Sequence, residues 1–559
     1  MRGLRRPSRG PWTRALAAAG LVGVLLGTAA CGGGDGDGNG GVEPGAQSDG
    51  GEAGDPVEGG SITIGLEAET NSWLPSEGTF NQPGLTIAHA IYDPLMQRAE
   101  DGSVQPYLAE SLEANEDLTE YTLTLREGIN FHDGTPLNAE ALKTVFDDYL
   151  KAPTSRLAAS LAEVESMDVV DEYTVVYNLA ATNASFPDAL ITAAGWPFSP
   201  TAAAAAGPDA GANPVGTGPF VFESWQRDSR LVVKKNPDYW QPGLPHLDEI
   251  TFRPIPDEDT RLASLQSGDI DVMQSLRQST VVRARELDGI SNYENLGSNA
   301  GATTLNTSIA PFDDVRVRRA LAHALDQESL IATLGGAGIT PAQTQFFSED
   351  SPYWSEKVAD AYPEYDVEKA QELYEEYIND PDRSDGKPVG TPLSFTFRCP
   401  PDPSLNELAQ LIQSFWSGIG AEVEIEQLEQ AAWIQRMLGR DYETGCTRVG
   451  GDGDPYVLLD GAFTEGPLNM SAYQDPRIDE QLENLKATRD IDERKAAIEE
   501  IGLVLNEEAI HTYVGGTLTV LAGRDAVKNI DGWTFPDSTT KGTGAANADT
   551  MWAHVWVTD

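Results

Sequence analysis

Cysteine, histidine and basic residues are scarce in this chain. Against 88 Asp and Glu it sets only 38 Lys and Arg, for a formal net charge of −50. Nucleic-acid binding is excluded on that ground, because neutralising phosphates needs a basic face that this composition does not supply. The acidity reads as solubility of an exported protein. Six histidines, His89, His132, His246, His323, His511 and His554, are scattered with none paired at metal-ligand spacing, so no metal site and no cofactor are expected. Hydrolase signatures are missing too: there is no Gly-x-Ser-x-Gly, no Ser-x-x-Lys with its companions and no His-Glu-x-x-His. With 88 acids, paired carboxylates alone carry no catalytic meaning. Beyond the first thirty residues no apolar run is long enough to cross a bilayer.

What is present begins with a leader. Arg2, Arg5, Arg6, Arg9 and Arg14 form a basic region, Ala15 to Leu26 an apolar one, and Thr28-Ala29-Ala30 a small-residue cleavage site before Cys31. This resembles a bacterial lipoprotein signal, which implies lipidation of Cys31. The next residues are Gly, Asp, Glu, Pro, Ser and Gln with almost nothing apolar, the composition of a flexible tether. At 559 residues the chain exceeds what one core can fill, since single cores stop growing near roughly 250–300 residues. Two or more lobes are expected.

The most informative stretch is 89–150. Tyr121, Leu123 and Leu125 alternate with Thr122, Thr124 and Arg126, as in a strand with one buried face. A turn follows at Asp133-Gly134. Asn138 then caps a helix whose Leu142, Val145, Phe146, Tyr149 and Leu150 make one apolar stripe. With Tyr-Asp-Pro-Leu ahead and Phe-His-Asp-Gly-Thr-Pro-Leu between strand and helix, the order resembles the family 5 solute-binding proteins of ABC importers. Asn213-Pro-Val-Gly-Thr-Gly-Pro-Phe, Lys235-Asn-Pro-Asp-Tyr-Trp240 and Phe312-Asp-Asp-Val-Arg continue the resemblance. Further strands are read at Ser61 to Leu66, Val169 to Leu179 and Met551 to Val557.

From Leu393 the pattern is strand, helix, strand, helix, strand. Leu393 to Phe397 alternates, Ser404 and Glu407 suggest a capping box, Val423 and Ile425 alternate, Trp433 to Leu438 is helical, and Glu443 to Val449 extends. A parallel sheet of order 2-1-3 is the economical arrangement. Ligands bind outside the carboxyl ends of such strands. The expected ligand residues there are Arg398, Trp433, Arg448, Asp452, Asp454 and Tyr456, joined by Asn71, Trp73 and Phe80 from the loop 67–83, which lies near the cleft in the resembled family. Peptide receptors of that family hold the ligand's amine with an acid before an Asp-Pro pair, here Asp454-Pro455, and its carboxylate with an Arg near the segment of Arg398. Asp452 and Gly451 stand where that acid is sought. In an exported chain Cys399 and Cys446 are disulfide candidates, on neighbouring strands of the 2-1-3 order.

The resemblance implies an α/β, two-lobed periplasmic-binding-protein fold of class II type with an inserted subdomain. Expected boundaries are signal peptide 1–30, linker 31–58, lobe I 59–96, inserted subdomain 97–211, lobe I again 212–301, lobe II 302–515 and a return to lobe I over 516–559. The implied protein is a non-catalytic, extracytoplasmic receptor, a monomer anchored by lipid to the outer face of the cytoplasmic membrane. It captures a peptide or peptide-like solute between its lobes and delivers it to ABC permease subunits. A metal chelate, oligosaccharide or other small metabolite is the alternative ligand, and an extracytoplasmic hydrolase the alternative class.

Overall fold

The computed structural model describes residues 54–558 apart from 79, 81, 152–160, 162, 296–298, 350, 402, 451–453, 467, 517, 538 and 545–549. The leader, Cys31 and the linker up to residue 53 therefore lie outside the described residues.

Two large sheets organise the molecule. The first has seven strands in the order Ile290–Asn295, Thr519–Arg524, Val272–Ser275, Ser61–Leu66, Glu249–Pro254, Arg230–Lys235 and Phe220–Gln226. Ser61–Leu66 runs parallel to both of its neighbours. The second has five, in the order Glu422–Gln427, Ser394–Cys399, Thr444–Gly450, Asn299–Leu305 and His511–Gly516. Its first three strands are parallel, with Ser394–Cys399 central, which is the 2-1-3 order. The chain moves from the first sheet to the second between Asn295 and Asn299, and returns between Gly516 and Thr519. The outward switch comes a few residues before the expected boundary at 301/302, because Asn299–Leu305 is already paired in the second sheet.

A four-stranded antiparallel sheet, Ala109–Ala114, Glu120–Leu125, Thr174–Leu179 and Val164–Val169, forms the inserted part. Along Glu120–Leu125 the side chains alternate outward and inward, with Tyr121, Leu123 and Leu125 fully buried. The extended run read from Val169 to Leu179 is instead the end of one strand, a turn and a second strand. Asp171 accepts the Tyr173 N–H at 3.0 Å there, and Val170 is 61% exposed. Such local carboxylate bonds close a turn more cheaply than a β-branched residue can extend in solvent.

The expected helix is Ala139–Lys151. Asn138 Oδ1 accepts the Ala141 N–H at 2.9 Å, and Leu142, Val145, Phe146 and Tyr149 are buried. Leu150, predicted on the same stripe, is exposed because at about 100° per residue it has turned past the core. The helix Pro403–Gly418 starts one residue before Ser404. Proline suits the first helical position, where no N–H partner is missed, so Ser404 lies inside the helix rather than at its cap. Met551 to Val557 is a tight 3₁₀ turn, Trp552–His554, followed by the short strand Trp556–Val557. The buried Trp552 indole donates to the Thr86 carbonyl at 2.7 Å, and a buried indole N–H needs such an acceptor.

One apolar core joins the seven-stranded and inserted sheets, running from Ile64, Phe252 and Leu521 through Trp73 and Trp196 to Leu123 and Phe146. The other lobe divides into a core around Phe395, Phe397 and Trp416 on its sheet, and another between the helices Pro455–Phe463, Pro476–Ala487 and Ile491–Glu507. Among the described residues no helix is long and apolar enough to cross a membrane.

Candidate functional site between the lobes

The carboxyl ends of the three parallel strands are built tightly. Cys399 and Cys446 form a disulfide with Cα atoms 5.1 Å apart. The Trp433 indole donates to the Cys446 carbonyl at 3.1 Å and meets Tyr442 edge-on at 5.3 Å, leaving the ring 2% exposed. At Gly445 a Cβ would lie 2.4 Å from both the Arg398 carbonyl and the Trp433 ring, so only glycine fits between them. Arg398 donates from Nε to Glu426 at 2.7 Å and stands 3.8 Å from Glu443. Arg448 pairs with Gly301 along the strand; its side chain, like Asp452, lies outside the described residues.

Asp454 faces inward. It is 8% exposed, caps the helix Pro455–Phe463 by accepting the N–H groups of Tyr456 (2.8 Å) and Val457 (3.4 Å), and is ion-paired with Arg494. Tyr456 is 7% exposed, with the Lys486 ammonium 5.8 Å above its ring. The expectation of ligand contact thus meets, at Trp433, Asp454 and Tyr456, side chains already occupied by their own lobe.

The loop residues of the other lobe divide similarly. Trp73 is fully buried, packed edge-on to Trp225 at 5.6 Å, while its carbonyl accepts the Tyr92 hydroxyl at 2.8 Å. Phe80 is half-buried, 5.5 Å from Trp196. Asn71 is exposed, and its backbone carbonyl accepts from Arg227 at 3.0 Å. A separate cavity of about 720 Å³ opens between Arg126, Trp240, Thr534 and Phe535, and none of the expected ligand residues lines it.

At the inserted subdomain the two lobes meet through polar groups that the sequence pattern did not single out, while beside the crossings an apolar cluster of Val281, Leu518, Val520 and Ile339 spans both. From the second lobe, Lys486 is ion-paired with Glu163, and its carbonyl accepts the Ala184 N–H at 2.8 Å. Arg489 donates to the Tyr121 hydroxyl at 2.9 Å with its guanidinium 5.3 Å from that ring. Arg494 reaches Ser185 Oγ at 3.4 Å. Asp188, paired with Arg98, faces them from the first lobe. Burial pushes its carboxyl up to about 6, reinforced by the negative charge of Asp454 and opposed by Arg98. The only forewarning in the sequence was three cations within nine residues of a chain of charge −50. Among the described residues no cluster of three or more His, Cys, Asp or Glu could hold a metal ion.

Comparison with known proteins agrees with this architecture. Residues 103–469 match the family described as bacterial extracellular solute-binding proteins, family 5 Middle. The glutathione-binding protein GsiB of Pectobacterium atrosepticum is 27% identical over 426 residues, 73% of this chain and 80% of that protein. The fold is shared with the PBP AgaA of A. tumefaciens R10, solved in complex with agropinic acid (TM-score 0.76, 24% identity, 89% of this chain and 99% of that one). It is shared also with the ABC transporter-associated periplasmic binding protein DppA of Helicobacter pylori, solved in complex with the peptide STSA (TM-score 0.76, 23% identity, 90% and 99%). Two sheets linked by two crossings, an inserted antiparallel subdomain and a match over most of the chain make this protein a member of the bacterial extracellular solute-binding proteins, family 5.

Proposed function

We propose that the chain captures a peptide or peptide-like small solute between its lobes, without chemical turnover, and passes it to the permease of an ABC importer. In the same reading it works as a monomer outside the cytoplasmic membrane, held there by lipid on Cys31. The observation that carries this reading is the double crossing between two sheets that each have their own core. Two lobes with separate cores joined by two chain crossings form the arrangement that opens and closes around a ligand. The relatives named for glutathione and dipeptide binding support a peptide-like solute.

Asn71, Phe80, Arg398, Arg448 and Asp452 are the groups we assign to ligand contact, with Trp73, Trp433, Asp454 and Tyr456 supporting them from within the lobes. One observation favours the second reading, a solute without free peptide termini. Arg398, the described charge near the carboxylate position, already carries an intramolecular partner in Glu426. Native mass spectrometry of the protein purified without denaturation, followed by calorimetry with glutathione and with Ser-Thr-Ser-Ala, separates the readings. A copurified peptide-like mass and binding of either probe is the expected result. A copurified sugar or chelate with no response to either probe turns the assignment to the second reading.

A further inference from the structure

We propose that the elbow between the helices Pro476–Ala487 and Ile491–Glu507 is a polar latch. In it Arg494 is the positioning residue that ties the Asp454 cap of the second lobe to the inserted subdomain of the first. The inference rests on the reading of the protein as a receptor whose lobes close, and it concerns what holds them closed.

The elbow projects Lys486, Arg489 and Arg494 toward one face of the inserted subdomain. Every acceptor there comes from the opposite lobe: the Glu163 carboxylate, the Tyr121 hydroxyl and the Ser185 hydroxyl. The Ala184 N–H adds a backbone bond to the Lys486 carbonyl. Tyr121 is itself anchored, donating to the Asn183 carbonyl at 2.7 Å, and Asn183 donates to Glu163 at 2.7 Å. The receiving face is thus a connected set of polar groups already held in place, which keeps the entropy lost on docking small.

Arg494 differs from its two companions. It is 5% exposed and divides its guanidinium among the Asp454 carboxylate, the Leu485 carbonyl at 2.9 Å, the Thr488 carbonyl at 3.2 Å and Ser185 across the seam. A planar fork with five donors can serve all four acceptors at once, and an ammonium cannot. Three of the four lie in its own lobe, so Arg494 keeps its place when the lobes part and offers the free edge of its fork again when they meet. Asp454 opens the helix Pro455–Phe463, immediately beyond the strand Thr444–Gly450. The same side chain therefore touches the cap of the helix Pro455–Phe463 and the opposite lobe. The Arg494–Asp454 pair is buried within the second lobe, whereas the contacts that cross the seam are a partly shielded ion pair at Lys486–Glu163 and hydrogen bonds to the Tyr121 and Ser185 hydroxyls. Contacts of this polar kind can exchange their partners for water as the seam opens.

The test uses spin labels on Asp117→Cys in the inserted subdomain and Glu376→Cys in the second lobe, both at exposed positions, with the interlobe distance distribution read by pulsed electron resonance. No solute is added, so the outcome does not depend on knowing the ligand. The unsubstituted seam should populate the short distance of this structure. Lys486→Glu and Glu163→Lys should each lower that population at least threefold, and the two together should restore it to within a factor of two. Ser185→Ala, which removes only the acceptor across the seam, should lower it with the melting temperature kept. A wild-type distribution lacking the short distance overturns the proposal, as does a charge swap no more closed than its single substitutions. Failure of glutathione and of Ser-Thr-Ser-Ala to change the wild-type distribution counts against the peptide reading alone.

Discussion

The interior of the first lobe and the seam between the lobes are both crowded with large side chains, but they are joined by different forces. Inside the lobe, Trp73, Trp196, Trp533 and Trp552 are fully buried in one continuous apolar core. Where the second lobe meets the inserted subdomain, the joining side chains are charges and hydroxyls: Lys486 with Glu163, Arg489 with Tyr121, Arg494 with Ser185. Apolar burial stabilises by roughly 25 cal/mol per Å² and has no reversible partner in water. A hydrogen-bonded pair exchanges protein for water at little net change. The lobes are therefore built to persist and the seam to open, a division that a receptor closing on a solute requires.

The comparison breaks most visibly at Trp73. It was expected at the ligand, yet its ring has no exposed surface and packs on Trp225. Trp73→Ala should cost about 3–5 kcal/mol, the usual range for a large aromatic removed from a core. Thermal unfolding should show the loss in the first lobe with the second lobe's transition unmoved. A loss of solute affinity at unchanged melting temperature would instead put Trp73 among the ligand contacts.

A smaller effect is expected at Asp93, the exception inside the apolar lobe. It is 1% exposed and accepts from Trp240 Nε1 at 2.8 Å and the Tyr239 hydroxyl at 3.2 Å, both neutral donors. Burial pushes its carboxyl up to about 7, with the two hydrogen bonds pulling the other way. A folded value above the unfolded one means that protonation favours the fold. The stability it supplies is full below about 3.8, is lost as pH rises from there to about 7, and is flat above. Asp93→Asn removes that dependence, so the stability it adds should grow between about pH 4 and 7 and level off at roughly 2 kcal/mol by pH 8, larger there than at pH 5. Equal effects at both values would mean that the carboxylate is ionised throughout.

Most of the fold was legible because it is written locally. Alternation in Tyr121 to Leu125, the Asn138 cap and the order of elements after Leu393 each depend on neighbours a few residues apart, and each recurs in the structure. Readings missed where a short-range bond overrode a periodic pattern, as at the Asp171 turn inside the presumed long strand. The site was less legible for the opposite reason. Asp454 was singled out from the Asp-Pro pair, but its partner Arg494 is 40 residues away. Glu163 and Lys486 are separated by 323 residues. No spacing rule links such groups, and the character of a charge depends on which opposite charge the fold delivers to it.

The smallest effect expected belongs to the seam and has a definite sign. Asp188 faces Arg98 from its own lobe, and Asp454, Arg494 and Tyr353 from the other, with Tyr121 beside it. Its carboxyl, held near 6 by burial and by the charge of Asp454, is mostly ionised at pH 7.5 and mostly protonated at pH 5. Opening the seam returns it to water and toward its ordinary value of 3.8. The closed state therefore binds the proton more tightly, so acid favours closure and closure weakens as pH rises through about 6. Water entering the seam and the pull of Arg98 limit the bias to about 1 kcal/mol, a factor of roughly five in the ratio of closed to open. The labelled pair at Asp117 and Glu376 reads this ratio directly at pH 7.5, 6 and 5, and Asp188→Asn should flatten it. A ratio that falls on acidification would mean that attraction between Asp188 and Arg494 across the seam outweighs the repulsion from Asp454.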